Sequence, residues 1–194
     1  MTHSAPRDIP RALSTIFLDR DGVLNEKMPE GTYVRSAADF HPLPGAAEAI
    51  SKLNRAGVRV VVVSNQRGIA RGLYTATDVN AIHTAFQKYL EGFGARVDGF
   101  YFCPHDKEQC NCRKPLPGLF EQALAEFPQI TAAASAMLGD SLSDIEFGRR
   151  LGMLTVFIAG EAEHRSPSAE DARALADLRF PSLAEAVEAL LRNP

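Results

Sequence analysis

Two aspartates separated by a single residue follow an apolar run near the start of the chain. The segment FLDRDGVLN places Asp19 at the end of the run TIFLD and Asp21 two positions later, before Gly22. Aspartate and glycine are common in turns, so the segment alone is compatible with an ordinary loop. Two crowded carboxylates repel each other unless a cation or a shared proton compensates. A turn is therefore the favoured interpretation of the segment alone, and the repulsion between the two carboxylates is its weakness.

Two further apolar runs end in polar residues that could act on an anion. VRVVVVS ends in Ser64 and is followed by Asn65, Gln66 and Arg67. These hydroxyl, amide and guanidinium groups suit an oxyanion such as phosphate, although a simple polar loop would have the same composition. SAMLGD ends in Asp140, and Asp144 follows four residues later, where the charge could equally serve the first turn of a helix.

All three cysteines of the chain lie within ten positions, in the segment CPHDKEQCNCRKP. A structural disulfide is improbable in a cytoplasmic chain, and an odd number of cysteines leaves one thiol unexplained. Three thiolates and one imidazole form the closed tetrahedral set that structural zinc prefers. We therefore predict a structural zinc ion, with reduced, unliganded cysteines as the alternative. The predicted ligands are Cys103, His105, Cys110 and Cys112.

Strand-like apolar runs alternate with helical patterns along most of the sequence. The predicted strands are 15–19, 58–64, 98–103, 135–140 and 153–159, and the predicted helices are 45–57, 78–91 with Thr77 as cap, 117–127, 142–151 and a last helix opened by Ser182 and Glu185. The polar segment 160–179 is expected to be a surface excursion. This alternation predicts an α/β fold with a doubly wound parallel sheet, whose ligand site lies beyond the carboxyl ends of the strands.

Composition narrows the function classes. The chain has 194 residues, 45% of them hydrophobic, and a net charge of −3, so it has no general attraction to nucleic acid. It contains no apolar run long enough to span a membrane and no signal core near its start. We expect a flexible tail over residues 1–13, one domain over 14–194, and a cytoplasmic monomer that acts on a small molecule.

Taken in order, these motifs resemble the haloacid dehalogenase phosphohydrolase superfamily. The pattern comprises Asp-x-Asp-Gly, Ser-Asn, a lysine before a later helix (Lys114) and Gly-Asp-x-x-x-Asp, and it covers about residues 15–190. The resemblance implies a Rossmann-like core in which the first strand lies between the strands that carry the second and fourth motifs. Asp19, Ser64 and Asp140 would then meet at one edge of the sheet.

The resemblance also implies a role for each motif residue. Asp19 would attack phosphorus to form an aspartyl phosphate, and Asp21 would act as the general acid and then the general base. Ser64 and Lys114 would bind and neutralise the phosphoryl oxygens. Mg²⁺ would be held by Asp19, the backbone carbonyl of Asp21 and Asp140. Asp144 would orient Lys114 or a water molecule on the metal.

The cysteine segment narrows the resemblance to the capless histidinol and heptose phosphatase branch, which carries a Cys-x-His…Cys-x-Cys-Arg-Lys-Pro zinc loop. About 32 residues separate Asn25 from Val58, too few for a cap domain. Substrate selection would then depend on loops at 25–40 and 65–74 and on the zinc loop, with Arg67, Arg71 and Arg113 as contacts to sugar hydroxyls or a second phosphate. Ser141 stands where heptose enzymes often have lysine, and the short zinc loop is nearer to the histidinol phosphatases. We expect a heptose phosphate as substrate, with histidinol phosphate as the alternative.

Two readings from other classes remain open at this point. A phospho-acceptor regulatory domain also uses aspartates, a hydroxyl residue, a lysine and Mg²⁺, but Asp21 supplies an acid and base suited to releasing phosphate rather than storing it. A zinc interaction module for protein or nucleic acid would explain the cysteines alone. The acidic net charge argues against its nucleic-acid version.

Overall fold

The computed structural model describes residues 13–29, 31–160 and 168–192. The strands are β1 (Thr15–Leu18), β2 (Arg59–Asn65), β3 (Gly99–Cys103), β4 (Ser135–Gly139), β5 (Leu154–Ile158) and β6 (Leu178–Phe180). The α-helices are α1 (Ala46–Arg55), α2 (Ala76–Glu91), α3 (Gly118–Glu126), α4 (Leu142–Leu151), α5 (Ala169–Leu175) and α6 (Leu183–Arg192). Two short 3₁₀ turns lie at Ala37–Asp39 and Ala132–Ala134.

The six strands form one parallel sheet in the order β3-β2-β1-β4-β5-β6. Strands β1, β2, β4 and β5 are apolar on both faces, as expected for interior strands covered by helices on each side. Because β1 lies between β2 and β4, the motifs that follow these three strands reach the same edge. The predicted parallel α/β sheet and its strand order are confirmed.

Helices cover both faces of the sheet. Ile16 and Leu18 of β1 pack with α1, α2 and α6, whereas Phe17, between them, points to the opposite face and packs with α3 and α4. Helix α5 packs beside α4 through small alanines that contact Ile145 and Phe157. The alternation along β1 follows from the two-residue period of a strand, and it gives the doubly wound architecture.

Two details of the predicted elements are wrong. Helix α2 begins at Ala76 rather than at 78, and its cap is Thr75 rather than Thr77, because the Thr75 hydroxyl accepts from the Asp78 backbone N–H while the Asp78 carboxylate accepts from Thr75. In the described part of the segment 160–179, helix α5 and the edge strand β6 replace the expected surface excursion. Their brevity hid them from periodicity, and residues 161–167 lie outside the described residues.

No cap domain interrupts the described ranges. Between β1 and β2 lie only the 3₁₀ turn and α1, and between β3 and β4 only α3 and a second 3₁₀ turn. The expected tail lies outside the described residues except for Leu13, which packs against the core. No helix in the described part of the chain combines the length and apolar character needed to cross a membrane.

Candidate active site

The carboxyl ends of β1 and β4 bring together the aspartates of the first and fourth motifs. Asp19 continues β1 and its backbone N–H donates to the carbonyl of Leu138 in β4 over 3.0 Å. Carboxylate oxygens of Asp19, Asp140 and Asp144 lie within 4.8 Å of one another, and all three residues are buried. Such a cluster requires a compensating positive charge.

Lys114 supplies one such charge. Its Nζ lies 2.7 Å from Oδ1 of Asp19 and 2.6 Å from Oδ1 of Asp144, and it donates to the backbone carbonyl of Val63 over 2.6 Å. The ammonium group is thus held by ion pairs with two carboxylates and by one backbone carbonyl. Although burial acts to lower the pKa of Lys114, Asp144 and Asp19 raise it overall, so the residue stays charged.

Asp144 joins Lys114 to helix α4. Its Oδ2 accepts from the backbone N–H of Ser141 over 3.0 Å and from the Ser141 hydroxyl over 2.6 Å, which forms a capping box at the start of α4. Its Oδ1 forms the ion pair with Lys114 but has no hydrogen-bond partner among the described residues. This geometry is compatible with the expected orientation of Lys114.

The two remaining carboxylates have raised pKa values. Burial raises the pKa of Asp19 to about 7 and that of Asp140 to about 6. Lys114 opposes the rise at Asp19 and Lys27 opposes the rise at Asp140, whereas the Asp144 carboxylate adds to both. A divalent cation would favour the ionised form of both carboxylates.

Asp21 has a different environment from Asp19. Its carboxylate accepts from the Arg20 guanidinium over 2.9 and 3.0 Å, from Asn25 over 3.0 Å and from Gln66 over 3.1 Å. Burial acts to raise the pKa of Asp21, but Arg20 and these hydrogen bonds lower it overall. The site thus pairs one carboxylate of raised pKa with one of lowered pKa two residues away.

Gln66 fixes the groups around Asp21 and Ser64. Its amide nitrogen donates to the Ser64 hydroxyl over 2.6 Å and to Asp21, and its carbonyl oxygen accepts from Tyr74 over 2.8 Å and from Arg20 over 3.3 Å. Both ends of the Gln66 amide thus bond to protein groups and position its neighbours, while its contact with substrate stays a prediction. Because the Ser64 oxygen accepts from Gln66, its proton remains available to donate to a ligand.

The Asn65 side chain forms two hydrogen bonds with the backbone of Lys114. Its side chain accepts from the Lys114 N–H over 2.9 Å and donates to the Lys114 carbonyl over 3.1 Å. This reciprocal pair links the loop after β2 to the end of the cysteine segment. The side chain predicted to bind substrate is therefore used mainly to hold the lysine in register.

The three predicted arginine contacts differ in their partners. Arg67 forms an ion pair with Asp106 at 2.6 Å, and Arg71 donates to the Tyr33 hydroxyl over 3.1 Å, so both tie neighbouring loops together. Arg113 donates a long, 3.4 Å hydrogen bond to a backbone carbonyl and lines an open groove of about 480 Å³ with Lys114. Of the three, Arg113 is the best placed to meet a ligand.

Two functional candidates lie outside the residues selected from the sequence. Arg20, only 1% exposed, holds Asp21, and Lys27 lies with Nζ 2.5 Å from Oδ2 of Asp140. The sequence gives a signal for Arg20, because it stands between the two aspartates of the first motif. It gives no signal for Lys27, because a lysine in a loop does not reveal a partner more than a hundred positions away.

The cysteine segment forms a compact cluster at the end of β3. The three sulfur–sulfur distances are 3.1, 3.3 and 3.4 Å, and His105 Nδ1 lies 3.4 Å from Cys112 Sγ and 3.8 Å from Cys103 Sγ. Tetrahedral zinc with bonds of about 2.3 Å would separate its sulfur ligands by about 3.8 Å, so the four donors need only small adjustments to fit. This group is able to hold a metal ion.

Tight packing joins this cluster to the start of α3. The Gly118 N–H donates to the carbonyl of Asn111 over 3.0 Å, and a Cβ at position 118 would lie 2.8 Å from both that oxygen and Cys112 Cα. Only glycine allows so close an approach. The cluster therefore fixes the chain on both sides of Arg113 and Lys114.

The carboxylates of Asp19, Asp140 and Asp144 could also hold a metal ion. Its donors are oxygens, which is the set that Mg²⁺ prefers, and Oδ1 of Asp140 is buried with no hydrogen-bond partner among the described residues. A buried carboxylate oxygen left in that state is costly unless a cation or water satisfies it. The donor chemistry is thus compatible with Mg²⁺ at the sheet edge and with zinc at the cysteines.

Comparison with known proteins is consistent with this geometry. Over 171 residues the chain is 41% identical to D-glycero-alpha-D-manno-heptose-1,7-bisphosphate 7-phosphatase of Mycobacterium tuberculosis (strain ATCC 25618 / H37Rv), covering 88% of this chain and 87% of the relative. It is 38% identical to the D-glycero-beta-D-manno-heptose-1,7-bisphosphate 7-phosphatase of Rhodopseudomonas palustris, covering 83% and 89% of the two chains.

A solved structure shares the fold closely. The D,D-heptose 1,7-bisphosphate phosphatase of B. bronchiseptica, complexed with magnesium and phosphate, superposes with a TM-score of 0.82 at 31% identity, over 94% of this chain and 100% of that one. Residues 16–152 match the haloacid dehalogenase-like hydrolase family, and this range contains all four motifs and the cysteine cluster. The chain therefore belongs to the haloacid dehalogenase-like hydrolases.

Proposed function

We propose that this hydrolase removes the C7 phosphate of D-glycero-D-manno-heptose 1,7-bisphosphate through an aspartyl phosphate on Asp19. The observation that carries the proposal is the convergence of Asp19, Asp140 and Asp144 around Lys114, next to a loop that presents Arg113. The relatives named for heptose bisphosphates support the choice of substrate.

In the proposed first step, a carboxylate oxygen of Asp19 attacks phosphorus, and the bond between phosphorus and the C7 oxygen of the sugar breaks. Lys114, already 2.7 Å from Asp19, would neutralise charge on the phosphoryl oxygens, and Ser64 would donate its free proton to one of them. Asp19, Asp140 and the backbone carbonyl of Asp21 would hold Mg²⁺. When bound, Mg²⁺ offsets the repulsion between the carboxylates and neutralises charge on the phosphate.

Asp21 would act first as the acid, giving its proton to the departing C7 oxygen, and then as the base. In the free enzyme its pKa is lowered, which favours the carboxylate that takes a proton from the hydrolytic water in the second step. For the first step it must carry a proton, and the negative charge of an incoming phosphate would raise its pKa. Arg20, Asn25 and Gln66 hold the carboxylate in place through both steps.

The phosphate that is not removed would lie in the groove beside Arg113. Lys107, Arg113 and Lys114 supply positive charge to a lining that also contains Glu108 and Glu146. The hydroxyls of Ser141 and Ser143 lie at the start of α4, where the helix dipole favours an anion. A bisphosphate offers a group for both ends of the site, whereas a monophosphate fills only one. We propose that Ser141 takes part here in place of the lysine common in heptose enzymes.

We propose that the cysteine cluster holds a structural Zn²⁺ ion and that the protein works as a cytoplasmic monomer. Four protein ligands leave no open position for a reacting water. Reduced thiols are expected in the cytoplasm.

Among the described residues, the exposed large hydrophobic side chains are limited to Leu73, Tyr89 and Phe93, which supports a monomer. Gel filtration at several concentrations tests the oligomeric state.

The deciding experiment measures phosphate release from both anomers of the heptose bisphosphate, from histidinol phosphate and from hexose monophosphates, with and without Mg²⁺. We expect magnesium-dependent release that is fastest with the bisphosphate. Asp19→Asn should abolish release in a folded protein, whereas Asp171→Asn, an exposed aspartate of α5, should leave it unchanged. Preference for histidinol phosphate would refute the substrate, and substantial activity of Asp19→Asn would refute the nucleophile.

A further inference from the structure

Lys27 forms an ion pair with the acidic cluster of Asp19, Asp140 and Asp144, although it belongs to none of the four motifs. It lies in the loop after β1, and its Nζ is 2.5 Å from Oδ2 of Asp140. The lysine side chain is 25% exposed and the aspartate side chain 8% exposed. The ion pair thus joins a buried carboxylate at the sheet edge to a cation that solvent can reach.

The charges of the cluster divide between two lysines. Lys114 is bonded to Asp19 and Asp144, while the ion pair of Asp140 in the described part of the chain is with Lys27. Without Lys27 the three carboxylates would share a single ammonium group. Leaving a buried charge without its partner is strongly unfavourable.

We propose that Lys27 is an internal counterion that competes with Mg²⁺ for Asp140 and so sets the affinity of the site for the ion. This inference rests on the proposed magnesium site. A divalent cation bound by Asp140 would meet an ammonium group on the same carboxylate, and two cations at that distance repel each other. Binding of the ion must therefore displace or weaken the Lys27–Asp140 pair.

The surroundings of Lys27 allow that displacement. The lysine lines a cavity of about 220 Å³ together with Asp21 and its partner Arg20, and with Thr32 and Tyr33. The flexible four-carbon stem of lysine lets the ammonium group move without a change in the backbone. The released charge would stay within the site, beside Asp21, rather than leave the protein.

The test compares Mg²⁺ binding by calorimetry in the wild-type protein, Lys27→Met and Lys27→Gln. We expect both variants to bind Mg²⁺ about tenfold more tightly, equivalent to about 1.4 kcal/mol. Thermal melts supply a second readout: the metal-free variants should melt below wild type, and Mg²⁺ should raise their melting temperature by more. If Lys27 had a merely structural role, its loss would lower the melting temperature equally without and with Mg²⁺, and Mg²⁺ binding would not tighten.

Two controls sharpen the comparison. Lys27→Arg keeps the positive charge and should not gain affinity, and Lys52→Met removes a lysine paired with Glu188 at 2.6 Å on the surface and should bind Mg²⁺ as wild type does. Unchanged or weaker binding by the Lys27 variants, beside a wild type that binds Mg²⁺, overturns this inference alone. A wild-type protein that binds no Mg²⁺ overturns the proposed magnesium site itself.

Discussion

At the residue scale, Gly22 shows how closely the two acidic motifs are packed. Its φ is +92°, and a Cβ at this position would lie 2.5 Å from Oδ2 of Asp140. The glycine therefore serves two needs, a left-handed turn after Asp21 and room for the Asp140 carboxylate.

Comparison of Gly22→Ala with Gly57→Ala separates these two needs. Gly22→Ala should lower the free energy of unfolding by about 1–3 kcal/mol through backbone strain, and should also weaken Mg²⁺ binding because Asp140 must move. Gly57→Ala is the matched control, with φ +74° and nothing within 4 Å of the added Cβ. Urea denaturation and calorimetry measure both effects. Equal Mg²⁺ affinity in the two variants would contradict the proposed place of Asp140 in the metal site.

His83 is a buried group that the proposed chemistry does not use. Its ring stacks on Phe100 with centroids 4.5 Å apart, and neither ring nitrogen has a hydrogen-bond partner among the described residues. Burial, with a smaller effect of Arg20, lowers the pKa of His83 to about 3.

This shift predicts a pH dependence of stability. The folded protein keeps His83 neutral, while the unfolded chain binds a proton below about pH 6.5, so stability is present above that pH and is lost as pH falls toward 3. Between pH 7 and 5.5 the loss should be about 1 kcal/mol. His83→Phe should remove this part of the slope in urea denaturation, whereas replacing the exposed His41 should not. A slope that His83→Phe leaves intact would show that His83 is not its source.

At the element scale, the cysteine segment acts as a clamp between β3 and α3. The contacts of Gly118 with Asn111 and Cys112 hold one side, and the Asn65 amide holds the backbone of Lys114 on the other. A metal ion at the four ligands would fix the direction of Arg113, and preorganised cations bind a developing charge better than mobile ones.

Loss of a zinc ligand should therefore change KM for the substrate more than it changes kcat. Cys110→Ser is expected to contain much less than one zinc per chain and to raise KM for the bisphosphate about tenfold, with a smaller change in kcat. Asn111→Ser, which alters the same loop but keeps all four ligands, should retain both metal and KM. Elemental analysis and steady-state kinetics check this, and a metal-free variant with wild-type KM would contradict the clamp.

The strongly periodic elements were predictable from the sequence, whereas the short ones were not. Strands β1, β2, β4 and β5 are continuous apolar runs, and the cap of α6 is visible in Ser182 and Glu185. Helix α5 has seven residues and β6 three, too few to show a period. The cap of α2 was misplaced because both Thr75 and Thr77 precede an apolar stretch, and only Asp78 chooses between them.

The same distinction applies to the site. The motif residues could be selected because their types and order carry the chemistry, but their adjacency depends on strand order, which spacing does not encode. The engagement of Gln66 by four protein groups and the approach of Lys27 to Asp140 are tertiary contacts without a local signal.

At the scale of the whole molecule, the described strands form one sheet and the helices pack against it. Helix α1 packs against α6 on the face that also carries α2, so early and late parts of the chain are joined through a common core. Membership in a hydrolase family removes the reading of the chain as a phospho-acceptor regulatory domain.

This shared core predicts cooperative unfolding of residues 14–194. Tyrosine fluorescence and far-UV circular dichroism, followed in urea with Mg²⁺ and Zn²⁺ held constant, should give one coincident transition. The chain has four tyrosines and no tryptophan, which makes tyrosine the optical probe. Two separated transitions would indicate that the chain is divided into independent units.

The proposed mechanism depends most on the covalent role of Asp19, and trapping of the phosphorylated enzyme tests that role directly. The wild type and Asp21→Asn, in which the second step should be slow, are quenched during turnover of the bisphosphate and reduced with borohydride, which converts an aspartyl phosphate to homoserine. Peptide mass spectrometry should find homoserine at position 19 and only when substrate is present. Conversion at a different aspartate, or turnover without conversion in either protein, would contradict the account.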